Sequence, residues 1–182
     1  MFRYLISIKL YFCSMNLNPT SLKWALRFYP PFFFQRIWVK RVLDGFKGMD
    51  IKIHKSSLNI NANKTVFGGT IFSALDPAHP ILLDQIFKSK GMKKTVAWLK
   101  SAKIDYIKPG HTSLYFSIRL SDKDIEDAYQ TILNEGKVIK TFITEIFDKN
   151  GILCALSHNE IYIRDLSFSL RNRKKKLTPV TT

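Results

Sequence analysis

Two adjacent glycines, Gly68 and Gly69, open a segment in which Ile71, Phe72, Leu75, Ala78, Leu82 and Ile86 recur at intervals of three and four residues. That spacing predicts a helix with one buried face, around which the rest of the chain must be arranged. Glycine at the start of such a helix lets a ligand approach the unpaired backbone N–H groups, where the helix dipole adds partial positive charge. An anion or a developing oxyanion suits that spot. Asp76 follows further along, flanked by the apolar residues Ala74, Leu75 and Ala78, and a carboxylate in such surroundings calls for a partner or a task. Pro77 and Pro80 lack the N–H that a helix needs. The helix is therefore expected either to bend there, opening a polar notch beside Asp76, or to stop near Asp76 and restart at Pro77 with Asp76 as its cap.

The flanking sequence alternates as strands do. Met49, Ile51 and Ile53 face one way and Asp50, Lys52 and His54 the other, and the preceding run Gln35 to Asp44 connects to them through Gly45 and Gly48. An Asn-rich loop from Ser56 to Val66 leads into the glycines. Thr95 to Ile107 reads as a long strand, and Ser113 to Leu120 alternates Leu114, Phe116, Ile118 and Leu120 with polar neighbours. Ser121 and Asp124 resemble a capping box ahead of an amphipathic helix carrying Ile125, Ala128, Ile132 and Leu133. Val138 to Phe147 and Ile152 to Ile163 flank Asp148-Lys149-Asn150-Gly151, a hairpin turn. About six strands, one helix after the second and another after the fourth, predict an α+β domain with an antiparallel sheet and a central helix.

Asn61, Gly68-Gly69 and Asp76, at these offsets, resemble the signature of hotdog-fold acyl-CoA thioesterases, in which an Asn or Gln precedes a His-Gly-Gly and an acid follows nine residues after the His. Phe67 stands in the His position, and the Phe-Gly-Gly variant with Asp76-Pro77 most resembles the hotdog branch known as domain of unknown function 4442, akin to the phenylacetate-type thioesterases. The resemblance spans roughly Phe32 to Arg164. It implies a hotdog fold, a dimer or tetramer with sites at the subunit interface, and hydrolysis of an acyl-CoA or acyl-carrier thioester. Gly68, with Gly69, would polarise the carbonyl; Asp76 would attack it or activate water; Asn61 would orient substrate or water. Phe67, Gly69 and Thr70 are the expected substrate-binding positions. Phe67 removes a hydrogen-bonding group that the relatives use. The alternative is a non-catalytic acyl-binding or membrane-associated hotdog protein in which Asp76 only caps a helix.

Helix geometry adds a constraint of its own. Gly68 and Asp76 lie about 12 Å apart along a helix axis, too far for one carbonyl to touch both. Two antiparallel helices about a two-fold axis would bring Gly68 of one subunit beside Asp76 of the other.

The remaining sequence sets bounds. The 29 Lys and Arg against 14 Asp and Glu, a formal charge of +15, imply attraction to something anionic, whether nucleotide phosphates of a carrier, acidic lipid or nucleic acid. No recognised nucleic-acid module is present, so nucleic acid is not expected. Cys13 and Cys154 form no framework, which suits a reducing compartment, with cytoplasm as the default. His54, His79, His111 and His158 lack ligand spacing and read as surface or edge residues, so no metal or cofactor is expected. Residues 1–31 read as an extension with a short helix capped by Asn18 or Thr20. Within it, Met1 to Ser14 is too short and too charged to span a bilayer, and either lies in a membrane interface or precedes a true start at Met15. The aromatics from Trp24 to Phe34 could face a membrane, lid an apolar cavity or complete the core. The hotdog domain is expected over residues 32–165, followed by a basic, disordered tail over 166–182.

Overall fold

The computed structural model describes residues 17–92 and 94–169. The expectations for Met1 to Ser14, for a start at Met15 and for the tail beyond residue 169 lie outside the described residues.

Asn18 caps the first helix, α1 (Pro19–Phe28), its side chain accepting from Ser21 N at 2.7 Å. Tyr29-Pro30-Pro31 ends α1, and the prolines then open a short second helix, α2 (Pro30–Phe34). Strand β1 (Ile37–Val42) turns through Gly45, whose φ of 64° needs the freedom of glycine, into β2 (Gly48–Ile53). Met49, Ile51 and Ile53 are buried as their alternation requires.

The central helical segment is two helices, α3 (Gly68–Leu75) and α4 (Ala78–Ser89). Asp76 keeps helical torsions and its N–H still bonds to Phe72 O at 3.0 Å, while Ile81 N bonds to Pro77 O at 3.0 Å. The break is thus a short dislocation at Asp76-Pro77. The restart lies at Ala78, and no side chain caps it, so the capping alternative for Asp76 does not hold. Two residues depart from the predicted pattern. Phe72, expected on the buried face, is exposed, because α3 buries the face of Thr70, Ile71, Ala74 and Leu75 and Phe72 lies outside it. His79, expected at the surface, is 2% exposed. It stacks on Phe142 with ring centroids 4.8 Å apart. α4 is enclosed on nearly all sides, so the strip of Ala78, Leu82 and Ile86 is only part of what it buries.

After α4 come β3 (Thr95–Tyr106), β4 (Leu114–Arg119), α5 (Asp122–Glu135), β5 (Lys137–Asp148) and β6 (Leu153–Asp165). Ser121 caps α5, accepting from Asp124 N at 3.0 Å, and Gly136 ends it in a left-handed conformation. The β5–β6 turn is closed by Asp148 Oδ1, which accepts from Asn150 N and Ile152 N. The six strands form one antiparallel sheet in the order β1-β2-β4-β5-β6-β3. The sheet wraps α3 and α4, with α3 against β2 and α4 against β3 and β6. Leu82, Leu83 and Phe87 of α4 meet Ile51, Phe116 and Ile161 from the strands in a continuous core. Cys154 is a buried thiol in that core. Strand β3 closes one end of the sheet, with β6 its only neighbour among the described residues. A twelve-residue strand with one bare edge is a template for further pairing.

Candidate active site

The loop before α3 is built by its own side chains. Ile60 and Val66 form a two-residue bridge, Asn61 N bonds to Thr65 O at 2.9 Å, and Lys64 takes a left-handed φ of 56° to close the turn. Asn61 Oδ1 accepts three bonds within this loop, from Asn63 N (3.0 Å), Thr65 N (3.1 Å) and Thr65 Oγ1 (3.1 Å). Asn59, buried beneath it, donates to the carbonyls of Gln35 and His54, both at 2.8 Å. Phe67 N then bonds to Asn59 O at 2.8 Å, and Val66 N to Gly110 O at 3.0 Å. These bonds fix where α3 begins.

At that point Phe67 precedes the helix without a side-chain cap. The N–H groups of Gly68 and Gly69 have no acceptor among the described residues, as expected for the first turn of a helix. Side-chain rings pack closely over both glycines. A Cβ on Gly68 would lie 2.9 Å from the Tyr106 ring, and one on Gly69 would overlap the ring of Phe67. Tyr106 Oη donates to the Gly68 carbonyl at 3.1 Å, and burial raises the pKa of its phenol. Asn61, Phe67, Gly68, Tyr106 and Lys108 line one open cleft of about 670 Å³. Phe67 is 54% exposed at its rim. Thr70 is 1% exposed and points into the core.

Asp76 sits elsewhere. It lines a narrow cavity of about 60 Å³ with Tyr29 from the end of α1, Pro77, Pro80 and Ile81 from the helix break, and Ala97, Trp98 and Leu99 from β3. Its half-buried carboxylate has no hydrogen bond or ion pair among the described residues. The phenol of Tyr29 is pushed up by burial and, second, by the negative charge of Asp76. Deeper in the same cavity lie Asp84 and Gln85, both buried. Asp84 is held by Lys88 Nζ at 2.6 Å and by the Thr95 hydroxyl at 2.5 Å.

The structure therefore groups Asn61, Phe67 and Gly68 at one end of α3 and places Asp76 at the other, in a separate cavity. Sequence reasoning missed Tyr106, Tyr29 and the Asp84–Lys88 pair. A signal for the last was present: an Asp and a Lys four residues apart in the otherwise apolar run ILLDQIFK.

The family model described as Domain of unknown function (DUF4442) matches residues 20–158, more than half of the chain. The chain belongs to that family. DUF4442 membership agrees with its structural neighbours. A Pseudomonas aeruginosa protein of unknown function, described as a probable thioesterase, superposes with a TM-score of 0.69 at 18% identity, covering 83% of this chain and 98% of its own. A Chlorobaculum tepidum protein of unknown function gives 0.67 at 14% identity, covering 82% and 98%. The PaaI protein of the Escherichia coli phenylacetic acid degradation operon gives 0.54 at 15% identity, covering 75% and 85%. At these identities the likeness is one of fold, and the DUF4442 chain has the α+β hotdog fold. No curated protein matches it significantly in sequence.

Proposed function

We propose that this DUF4442 protein hydrolyses acyl thioesters, carried on CoA or a carrier protein, at a site shared by two subunits. The observation that carries the reading is the position of the two half-sites on β3. The Gly68 cleft is walled by Tyr106 at one end of that strand, and the Asp76 cavity by Ala97, Trp98 and Leu99 at the other. Antiparallel pairing of the bare β3 edge with its copy, about a two-fold axis near Ser101, brings the Tyr106 end of one strand beside the Ala97 end of its partner. Each Gly68 cleft then meets a neighbouring Asp76 cavity.

In that arrangement the Gly68 N–H, with the dipole of α3, stabilises negative charge on the thioester oxygen as the carbonyl becomes tetrahedral. Asp76 supplies the second element. As general base it takes a proton from water, whose oxygen bonds to the acyl carbon while the C–S bond breaks; as nucleophile it forms a mixed anhydride that water then opens. Either way the products are a carboxylic acid and a free thiol. Asn61 shapes the loop that aims α3, since its carbonyl oxygen is committed to Asn63 and Thr65. Lys108 at the cleft offers a cation for carrier phosphates, in keeping with the charge of +15.

The test is thiol release from a panel of acyl-CoAs by the full chain and by Asp76→Asn. The amide keeps the size of the carboxylate and neither attacks nor accepts a proton, so turnover should fall about 100-fold or more with the melting temperature unchanged. Binding of acyl-CoA without thiol release would establish the acyl-binding alternative instead.

A further inference from the structure

The chain carries no Asp or Glu before Asp44. In the described part of that region, Lys23, Arg27, Arg36, Lys40 and Arg41 are all cationic. The same region has an unusual surface. Leu22 and Leu26 seat α1 on the core and Phe32 seats α2, yet Trp24, Phe28, Phe33, Phe34 and Trp38 are all exposed, Phe28 and Phe34 at 66% each. These rings are joined. Trp24 stacks on Phe28 at 6.0 Å, Phe33 meets Phe34 edge-on at 5.6 Å, and the Arg27 guanidinium lies between Trp24 (4.5 Å) and Trp38 (4.2 Å). Arg27 is fixed there by donating its Nε–H to the Val39 carbonyl at 2.8 Å. Phe33 and Trp38 share a shallow depression with Arg36, His54 and Lys55. Lys23, Arg27, Arg36 and Lys55 have no acidic partner among the described residues, and Arg41 beside them pairs with Asp50.

We propose that this surface docks the protein on an anionic lipid bilayer. Protruding Trp and Phe rings suit the boundary between headgroups and acyl chains, and unpaired Lys and Arg beside them suit the negative potential of acidic headgroups. A fluid layer accepts exposed rings in any arrangement, where a protein partner would have to present a matching pocket for each. Nothing here depends on hydrolysis. The placement nevertheless has a consequence for the Asp76 cavity, because α1 presents Trp24 and Phe28 outward and contributes Leu26 and Tyr29 to that cavity's wall. A docked protein would hold the cavity close to the lipid surface.

Vesicle flotation of the full chain tests this, with vesicles of phosphatidylcholine alone and of phosphatidylcholine with phosphatidylglycerol. The wild type should float with the anionic vesicles and far less with the neutral ones, and salt should weaken the association as the Debye length falls below about 10 Å. Phe28→Ser with Phe34→Ser, and separately Lys23→Gln with Arg36→Gln, should each lower the partition about tenfold or more. Neither pair should alter the melting temperature or the subunit number, since all four side chains lie outside the core. Failure of the wild type to float with anionic vesicles, or equal flotation of wild type and both variants, would overturn the proposal. So would a smaller assembly for the Phe28→Ser, Phe34→Ser protein, which would assign the surface to contact between copies of the chain.

Discussion

The two ends of α3 are made in different ways. At the Gly68 end the chain closes a loop on itself between Asn59 and Phe67, and the resulting cleft is open, with polar groups satisfied locally. At the Asp76 end, three elements remote in sequence, α1, the α3–α4 break and β3, enclose a narrow and mostly apolar cavity around a carboxylate without a partner among the described residues. On the proposed reading the first end offers N–H donors to an oxyanion and the second offers a carboxylate, the two lie in different cavities of one subunit, and the edge of β3 runs from one to the other.

The most severe way to break this comparison is to separate the two parts genetically. Gly68→Pro removes the N–H, and proline is tolerated in the first turn of a helix. Tyr106, exposed at the surface, must swing aside for it. Asp76→Ala removes the base. Each homodimer should be inactive, and an equal mixture allowed to exchange subunits should recover about a quarter of wild-type activity. Half the dimers are then mixed, and each of those has one intact site out of two. Thiol release after verified exchange measures it. A mixture as inactive as its components would mean that the two ends never meet.

The Asp76 end can be sharpened through its floor. Lys88→Met would leave Asp84 charged in a buried setting with its nearest cation gone, which should cost about 3–5 kcal/mol, read as a fall in the urea midpoint. Replacing Asp84 and Lys88 together by Leu and Met should cost markedly less, because no buried charge is stranded.

His79, next to the break, makes the same region sensitive to acid. Burial lowers its pKa to about 4, against about 6.5 in an unfolded chain. Between those values the unfolded state takes up a proton that the folded state refuses. Stability is therefore unaffected above about pH 6.5 and declines as pH falls toward 4, by about 3 kcal/mol over the window. Denaturation of wild type and His79→Leu across that range should show a shallower slope in the second, where only the carboxylates held down by cations, such as Asp50 and Asp124, still respond.

The smallest effect is expected at the Gly68 end. Asn61→Ala removes an acceptor for three bonds in a solvent-accessible loop and should cost about 1–2 kcal/mol, measured by thermal denaturation. Because Asn61 aims α3 rather than touching the reacting atoms, its loss should lower turnover much less than the loss of Asp76 does.

Much of this was legible in the residues. Alternation in Gly48–Ile53 and Leu114–Arg119, the Ser121 cap of α5 and the Asp148–Gly151 turn are local patterns, and each element lies where its pattern put it. Phe72 was misplaced because it lies just outside the face that α3 buries, and His79 because α4 is enclosed on nearly all sides. Asp84 was passed over although Lys88 stands four residues on along the same helix; its second partner, Thr95, arrives only when α4 packs on β3.

The set of elements follows from the residues alone, because periodicity and capping act between residues a few positions apart, and so do the glycines that bare the start of α3. Tertiary structure alone decided that Gly68 and Asp76 open into different cavities, that Tyr29 and Trp98 wall in the carboxylate, and that β3, like β1, ends the sheet. Those outcomes depend on which strand ends the sheet and which helix closes over it. Side-chain patterning sets the face of a strand, and says nothing about the neighbour on its edge.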